Sequence, residues 1–274
     1  MHDPSLRAEK LLMFPFRFAV LGSGSKANSF VFSLGDFSFA VDNGFSGREF
    51  FRRCELGGFN PMDLRFFLLT HTHRDHYSGV GVVSRKLSIP VLCHRGITEH
   101  LRSSGDLYQV RGGGEGEYRV RDLLSLSLFQ TSHDAPFSTG YTFVFGGKRI
   151  TILTDTGVIT PEMESRAAES DLLFLEANYS REMLESCRYP AYLKRRIRSS
   201  RGHLGNADAL DLLSRLRARG TFPQSVYLCH LSADSNSPAR LREEMEAAGF
   251  APGENIVICP KSSYISGPEP VTGC

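Results

Sequence analysis

A dense cluster of histidine and aspartate residues follows a short apolar run, and this arrangement limits what the chain can fold into. The run F-F-L-L at residues 66–69 has the composition of a buried strand, and H-T-H-R-D-H at residues 71–76 begins two positions later. Two imidazoles two positions apart can hold one metal ion, while the aspartate and the third histidine turn onto a second ion. The cluster therefore predicts a two-metal hydrolase site at the end of a strand, in preference to a solvated polar turn.

The composition is that of an ordinary globular protein. The chain has 274 residues, of which 41% are hydrophobic, so it can bury a substantial core as one large domain or two tightly fused halves. The formal net charge is +2. No overall field therefore attracts a polyanion, and any affinity for nucleic acid must come from a local basic patch.

Short apolar runs bounded by Gly, Asn and Asp alternate with helical patterns, and the second half of the chain repeats the alternation of the first. This pattern predicts an α/β architecture in which two sheets pack together and helices cover the outside. We expect one domain over residues 1–274, built from two similar αβ halves. We also expect a helix over residues 77–87 and a surface turn at the three glycines of residues 112–114.

One polar residue after another stands where an apolar strand run stops. Six residues have this position: Asp42, His71, His133, Asp155, Glu176 and His230. Ligand sites in α/β sheets collect beyond the carboxyl ends of strands, so residues far apart in sequence can converge on one cleft. Taken singly, these residues are as readily capping or core residues. Together with the 71–76 cluster, they predict one site.

This inventory is sufficient for a binuclear centre, which needs about three protein ligands for each ion and a bridging carboxylate. The predicted assignment is His71, His73 and His133 for the first ion, Asp75, His76 and His230 for the second, and Asp155 as the bridge. His and Asp ligands bind Zn²⁺ and Mn²⁺ alike, so we expect two divalent ions, either Zn²⁺ or Mn²⁺. Asp42 has two interpretations: a turn former before Asn43, or a carboxylate that orients a ligand histidine through the other ring nitrogen.

The order of these motifs resembles that of the metallo-β-lactamase superfamily. H-T-H-R-D-H, the later His133, T-D-T-G around Asp155 and C-H-L-S around His230 look like the motif series of that superfamily. More narrowly, the chain resembles its YycJ (WalJ)-type branch, through G-S-G-S-K-A-N-S at 22–29, D-N-G-F-S-G at 42–47, H-D-A at 133–135, Y-P-A-Y-L-K-R-R-I at 189–197 and G-H-L-G-N at 202–206. The chain departs from that pattern at Ala27, where Gly is usual, and at Gly205, where Ser is common.

The resemblance implies a four-layer αββα sandwich, a binuclear metal centre and kinship with nucleases. For this branch it also implies 5′-to-3′ exonuclease activity on DNA.

Glu176 and His203 resemble a Glu and His pair that ribonuclease Z-like phosphodiesterases use beside their metals. A carboxylate can hold an imidazole protonated, and the imidazolium can then donate a proton to a departing sugar oxygen. The alternative is that His203 is an ordinary loop residue before a helix. The pair favours phosphodiester hydrolysis, because an ester or lactam hydrolase has less need of such an acid.

A basic run precedes His203 and is the local patch that a nucleic acid would require. It consists of Lys194, Arg195, Arg196, Arg198 and Arg201. Such a run can hold a phosphate backbone without reading bases, although charge runs are often no more than solvated helix faces. Its position beside the proposed acid indicates a nucleic-acid partner, and the resemblance implies DNA in preference to RNA. No sequence feature implies a protein partner.

The combined hypothesis is a metal-dependent phosphodiesterase in which a metal-bridging hydroxide attacks phosphorus. Asp75 would also orient the hydroxide, and His203, supported by Glu176, would protonate the leaving oxygen. Two alternatives stay open. One is a small-molecule ester, thioester or lactone hydrolase on the same fold, and the other is a non-catalytic, metal-stabilised nucleic-acid-binding module.

The sequence also predicts a cytoplasmic protein. Residues 1–10 carry charges of both signs, and the stretch 11–20 is broken by Pro15 and Arg17, so neither a signal peptide nor a membrane span is expected. The six cysteines form no C-x-x-C pair, and we interpret them as reduced thiols.

Overall fold

The computed structural model describes residues 14–104, 107, 109–114, 116–120, 122–251, 254–259 and 265–267. The first ten residues and Cys274, on which part of the localisation argument rests, lie outside this set. Cys54, Cys93, Cys187, Cys229 and Cys259 are free thiols, as expected for those positions. Within the described ranges, no helix has both the length and the apolar character that crossing a bilayer requires.

The apolar runs of the first half pair into a mixed seven-stranded sheet. Its strands are β1 (Phe16–Gly22), β2 (Ser29–Leu34), β3 (Phe37–Val41), β4 (Leu64–Leu69), β5 (Val91–His94), β6 (Val110–Gly113) and β14 (Ile265–Gly267). They lie in the order β14-β1-β2-β3-β4-β5-β6. The strands from β3 to β6 run parallel, and β14, β1, β2 and β3 pair antiparallel.

The second sheet has the same number of described strands in a corresponding arrangement. It contains β7 (Glu117–Val120), β8 (Leu124–Gln130), β9 (Thr139–Phe145), β10 (Lys148–Leu153), β11 (Leu172–Glu176), β12 (Ser225–Cys229) and β13 (Ile256–Ile258), in the order β13-β12-β11-β10-β9-β8-β7. The strands from β10 to β13 are parallel, whereas those from β7 to β10 are antiparallel.

Helices connect the parallel strands and cover the outer faces of the sheets. They are α1 (Gly47–Leu56), α2 (Arg74–Tyr77), α3 (Val80–Leu87), α4 (Arg95–Ser104), α5 (Pro161–Ala168), α6 (Arg181–Ser186), α7 (Ala191–Ile197), α8 (Asn206–Ala218) and α9 (Pro238–Ala247). A short 3₁₀ helix spans Pro61–Asp63. Capping is visible at α5, where Thr160 accepts a hydrogen bond from the Met163 amide and Pro161 occupies the first turn.

An aromatic core lies between the two sheets. The Phe32 ring of the first sheet packs edge-on against Phe143 and Phe174 of the second, with centroid separations of 4.9 and 5.9 Å. Separate apolar clusters join the outer face of each sheet to its helices. This order of helix, sheet, sheet and helix confirms the predicted α/β sandwich.

Two local predictions were wrong. Gly112 and Gly113 belong to strand β6 instead of a surface turn, since the parallel pairing with β5 extends over them. The helix predicted over residues 77–87 is interrupted at Gly79. A side chain at Gly79 would place its Cβ 1.7 Å from the Phe45 carbonyl oxygen, so the loop after β3 occupies the space beside the chain there.

Candidate metal centre

The strand order brings the polar residues of both halves to one edge of the sandwich. Asp42 follows β3 directly, His71 follows β4 after one residue, and Glu176 is the last residue of β11. Asp155 and His230 come just after β10 and β12. Because these strands are parallel within each sheet, their carboxyl ends meet and the side chains converge.

Three of these strand-end residues have a left-handed backbone. The φ angles of Asp42, Asp155 and His230 are +57°, +58° and +58°. A residue with a Cβ rarely adopts this conformation, although Asp and His tolerate it better than most. The turn redirects each side chain from the sheet surface toward the shared edge.

The side chains form four overlapping groups of potential metal ligands among the described residues, and the ligand atoms of each group all lie within 4.8 Å of one another. One group is His71, His73 and His133, and another is Asp75, His76 and His230; these two have the membership expected from the sequence. The other two groups are His71, His76 and Asp155, and Asp155, Glu176, His203 and His230.

Asp155 lies between the two groups that were expected from the sequence. Its Oδ1 is 3.7 Å from His133 Nε2 and 3.4 Å from His230 Nε2, and its Oδ2 is 3.3 Å from His76 Nε2. A carboxylate with one group on each side has the position that a bridging ligand requires.

Two buried atoms in the cluster indicate that the residues fit a metal. His71 Nε2 and Asp155 Oδ2 are shielded from solvent and make no hydrogen bond to any described residue. A buried polar atom without a partner costs free energy, so these atoms call for a cation or another ligand. A set of imidazole nitrogens and carboxylate oxygens suits a divalent transition metal.

In most of these histidine rings, the Nδ1 atom contacts another polar group of the protein. Asp42 Oδ2 lies 2.7 Å from His76 Nδ1, and Thr70 Oγ1 lies 2.9 Å from His71 Nδ1. His133 Nδ1 donates to the Gly202 carbonyl oxygen at 2.8 Å. Such contacts fix the orientation of a ligand ring and its tautomer.

Asn28 and Gly44 support the cluster, and the sequence reasoning assigned them no role. The Asn28 side-chain amide donates to Asp75 Oδ2 at 3.2 Å, and its backbone amide donates to the Asp75 carbonyl oxygen at 2.7 Å. A Cβ at Gly44 would lie 2.1 Å from that same carbonyl oxygen. Asn28 and Gly44 belong to the sequence motifs at 22–29 and 42–47, which marked these two segments as important. The motifs did not show that either residue contacts Asp75.

Asn178 was missed in the same way. Its side-chain amide lies 3.0 Å from His230 Nδ1 and donates to the His230 carbonyl oxygen at 2.9 Å. It stands two residues after Glu176, in L-E-A-N-Y.

The carboxylates give the cluster a strong preference for positive charge. Burial lowers the pKa of His71 well below its usual value. Burial also opposes the charged form of His76, but the charges of Asp155 and Asp42 outweigh this effect and raise the pKa of His76 to about 10. Burial raises the pKa of Asp75, yet hydrogen bonds from His230 and His76 hold it well below its usual range. Cations are therefore stabilised here.

Glu176 and His203 form a close pair beside the ligand groups. His203 Nδ1 lies 2.7 Å from Glu176 Oε1, and the other Glu176 oxygen accepts hydrogen bonds from the Thr156 and Leu204 amides. Burial raises the pKa of Glu176, but the charge and hydrogen bond of His203 outweigh this and lower it to about 2. Glu176 is thus a buried carboxylate that stays ionised and orients His203.

His203 opens onto a cleft of about 320 Å³ that also exposes the metal-ligand residues. Its lining includes His73, Asp75, Asp155, His203 and His230. A larger cavity of about 700 Å³, between Tyr179 and Glu244, contains no member of either ligand group. Potential metal ligands therefore line the smaller cleft.

The basic run is not a uniform patch. Arg195 and Arg196 are both exposed, and of the two only Arg196 lines the cleft. Lys194 donates to the Glu185 carbonyl oxygen, Arg198 pairs with the Glu185 side chain, and Arg201 donates to the His133 carbonyl oxygen. Arg196 pairs with the Asp134 carboxylate, so four members of the run have partners within the protein.

The part of the sequence that contains this site matches a known protein family. The model of the beta-lactamase superfamily domain matches residues 40–230, which include every predicted metal ligand. The chain belongs to this superfamily. Membership, together with the clustered His and Asp ligands, identifies a metal-dependent hydrolase that binds divalent metal.

Two relatives within the superfamily match most of the chain. The chain is 32% identical over 226 residues to the exodeoxyribonuclease WalJ of Streptococcus pneumoniae, covering 81% of this chain and 83% of that protein. It is also 32% identical over 251 residues to the exodeoxyribonuclease YycJ of Bacillus anthracis, covering 88% and 93%.

Solved structures of other members share the fold. The metallo-beta-lactamase fold protein YhfI of Bacillus subtilis aligns with a TM-score of 0.67 at 16% identity, covering 92% of this chain and 100% of that chain. The short form of human tRNase Z aligns with a TM-score of 0.65 at 17% identity, covering 92% and 100%.

Proposed function

We propose that this protein is a two-metal 5′-to-3′ exonuclease acting on DNA. The observation that carries the proposal is the Glu176–His203 pair, 2.7 Å apart, beside two adjoining ligand groups in one cleft. The two relatives at 32% identity, both named exodeoxyribonucleases, support DNA as the substrate. The proposal includes two Zn²⁺ or Mn²⁺ ions per chain, a single domain and a cytoplasmic location.

Bound divalent ions would supply the Lewis acidity that activates water and offsets negative charge on a phosphate. In the proposed centre, His71, His73 and His133 would hold one ion, Asp75, His76 and His230 would hold the other, and Asp155, which lies between the two groups, would serve both. Asp42 keeps the His76 ring in place through its Nδ1 atom. Asp75 has a second role, which is to orient the attacking water.

His203 supplies the proton that the leaving sugar oxygen needs. Its Nδ1 is bound to Glu176, so Nε2 is the ring nitrogen available to the substrate. The Glu176 carboxylate orients the imidazole, and proton donation to an alkoxide lowers the barrier to P–O cleavage. The basic run at residues 194–201 holds the phosphate backbone, with Arg196 as its member in the cleft lining.

The direct test is cleavage of DNA and RNA, single- and double-stranded, labelled at either the 5′ or the 3′ end. The protein is stripped of metal and resupplied with Mn²⁺ or Zn²⁺, and Asp155→Ala serves as the matched control. We expect metal-dependent cleavage of DNA that releases nucleotides from the 5′ end and that the control lacks.

Other outcomes would select a different function. Hydrolysis of thioesters or lactones without cleavage of nucleic acid would favour a small-molecule hydrolase. Tight DNA binding by metal-loaded protein that never cleaves would instead indicate a binding module, and release from the 3′ end would reverse the proposed polarity.

A further inference from the structure

Asp134 and Arg196 form a pair at the edge of the metal centre that has no role in the function described so far. Asp134 follows the predicted ligand His133, and its Oδ2 accepts a hydrogen bond from Arg196 Nε. Its other oxygen, Oδ1, is buried and makes no hydrogen bond to any residue that the structure describes. That oxygen lies 3.5 Å from His133 Nε2 and 3.8 Å from His73 Nε2.

This pair places the Arg196 guanidinium at the reacting centre. Asp134 contacts Arg196 through Oδ2, and its Oδ1 lies near two predicted ligand nitrogens. A single carboxylate group therefore stands between the guanidinium and these predicted metal-ligand atoms. Arg196 lines the cleft with His203 and Asp75. The Arg196 side chain is 50% exposed although it pairs with Asp134. Its guanidinium is therefore anchored and still accessible from the cleft.

Arg196 differs in this respect from the rest of the basic run. Its bond to Asp134 uses Nε, and its terminal nitrogens Nη1 and Nη2 make no hydrogen bond to the described residues. Lys194 and Arg198 are tied to Glu185, and Arg201 is tied to the His133 carbonyl. Two parallel N–H groups of a guanidinium match two oxygens of a phosphate, which a point charge such as lysine does not.

We propose that Arg196 binds a non-bridging oxygen of the phosphodiester that is being cleaved, and that Asp134 is the positioning residue that aims it. This inference rests on the proposed function, because it assumes a phosphodiester in the cleft. The contact makes or breaks no covalent bond. It offsets the negative charge that develops on the phosphate oxygens while His203 donates a proton to the leaving oxygen.

The test compares Arg196→Gln, Arg196→Lys and Asp134→Asn with the wild type, and Arg242→Gln is the matched control. Arg242 is an exposed arginine on α9 that lies outside the cleft, so it controls for the loss of one positive charge. Turnover is measured on a 5′-phosphorylated DNA strand and on bis(p-nitrophenyl) phosphate, a small phosphodiester without a flanking backbone. Bound metal per chain is measured in the same samples.

We expect Arg196→Gln to lower kcat on both substrates by roughly 100-fold, the usual effect of removing one donor to a developing oxyanion. Arg196→Lys should recover part of the lost kcat on both substrates, since lysine keeps the positive charge but lacks the planar pair of N–H donors. Asp134→Asn should lower kcat in the same direction, by about ten-fold, because Arg196 remains but loses its anchor. All variants should keep wild-type metal content.

Four results would overturn the proposal. Arg196→Gln with the activity of Arg242→Gln would show that Arg196 contacts no substrate. A loss confined to KM for DNA, with normal turnover of the small phosphodiester, would place Arg196 on a flanking phosphate. Loss of metal in Asp134→Asn alone would make Asp134 a ligand. If the wild type cleaves neither substrate, both the proposed nuclease function and the role of Arg196 are wrong. If it cleaves only the small phosphodiester, the DNA function is wrong, and the variants still test the role of Arg196 on that substrate.

Discussion

At the scale of single residues, the centre depends on backbone conformations that are unfavourable in isolation. Asp42, Asp155 and His230 account for three of the five left-handed non-glycine residues among those described. Such a conformation costs about 1–3 kcal/mol and persists only where neighbouring contacts enforce it. The Ser23 hydroxyl accepts a hydrogen bond from the His230 amide at 2.7 Å, and Asp42 Oδ1 accepts one from the Thr70 amide at 2.8 Å.

Replacing Asp42 with asparagine tests its role in orienting His76. Asparagine keeps the size but loses the negative charge opposite His76 Nδ1, which lies 2.7 Å away. We expect metal affinity to fall by about 10–100-fold, as is usual when a partner of a ligand histidine is removed. The measurement is competition with a chelator. Asp122→Asn, in an exposed turn, is the control, and equal affinities in the two variants would contradict this role for Asp42.

The close contact at Gly44 provides a second test. An alanine there would push its Cβ to 2.1 Å from the Asp75 carbonyl oxygen, which is backbone and cannot move aside without displacing Asp75. We predict that Gly44→Ala lowers the free energy of unfolding by about 1–3 kcal/mol and lowers metal occupancy. Urea denaturation measures the free energy of unfolding, and metal analysis measures the occupancy.

Gly114→Ala is the control for this substitution, because its Cβ would meet only the flexible Arg95 side chain at 3.3 Å. If Gly44→Ala retained wild-type stability and metal content, the contact with Asp75 would be irrelevant to the centre.

At the scale of secondary structure, apolar runs predicted the central strands well. The strands Ser29–Leu34 and Phe37–Val41 coincide with mainly apolar runs of the sequence, because their residues are buried on both faces. The edge strands Val110–Gly113 and Glu117–Val120 were not predicted. Most of their residues lie in contact with solvent, so their sequences carry glycine and charge instead of an apolar pattern.

The aromatic layer between the sheets is the element-level feature that stabilises the fold. Phe32 is fully buried and contacts rings of both sheets. Phe32→Ala should therefore lower the free energy of unfolding by about 3–5 kcal/mol, through lost burial and the cavity that remains. Urea denaturation measures this change. Phe14→Ala, at a 52% exposed position, should change it little, and a similar loss in both variants would argue against the inter-sheet core as the source.

At the scale of the whole molecule, the centre joins the two sheets. His71, His73 and His76 come from the end of the first sheet, whereas Asp155 and His230 come from the second. The sequence predicted that these residues converge, because His71, Asp155 and His230 each follow an apolar run and His73 and His76 belong to the 71–76 cluster. It could not identify Asn28 or Asn178, since a side-chain amide that supports a ligand leaves no periodic pattern and its partner lies far along the chain.

Removal of metal should therefore loosen the molecule as a whole. Without a cation, the buried Asp155 carboxylate lacks its proposed partner, and Oδ2 of that carboxylate makes no hydrogen bond to a described residue. We expect EDTA to lower Tm, and an excess of metal at about 100 times Kd to restore roughly 2.7 kcal/mol of stability. Calorimetry with and without metal measures the shift. Asp155→Ala should show little response, and an equally large response in that variant would remove Asp155 from the ligand set.

The central claim is that a metal-dependent phosphodiesterase uses His203 as its acid without using it as a ligand. The decisive measurement is the rate of DNA cleavage together with the metal content of His203→Ala and the wild type, prepared side by side. We predict that the rate falls by about 10²–10⁴-fold while metal content per chain is unchanged. Loss of metal with the loss of activity would make His203 a ligand, and an unchanged rate would show that the leaving oxygen needs no acid from this residue.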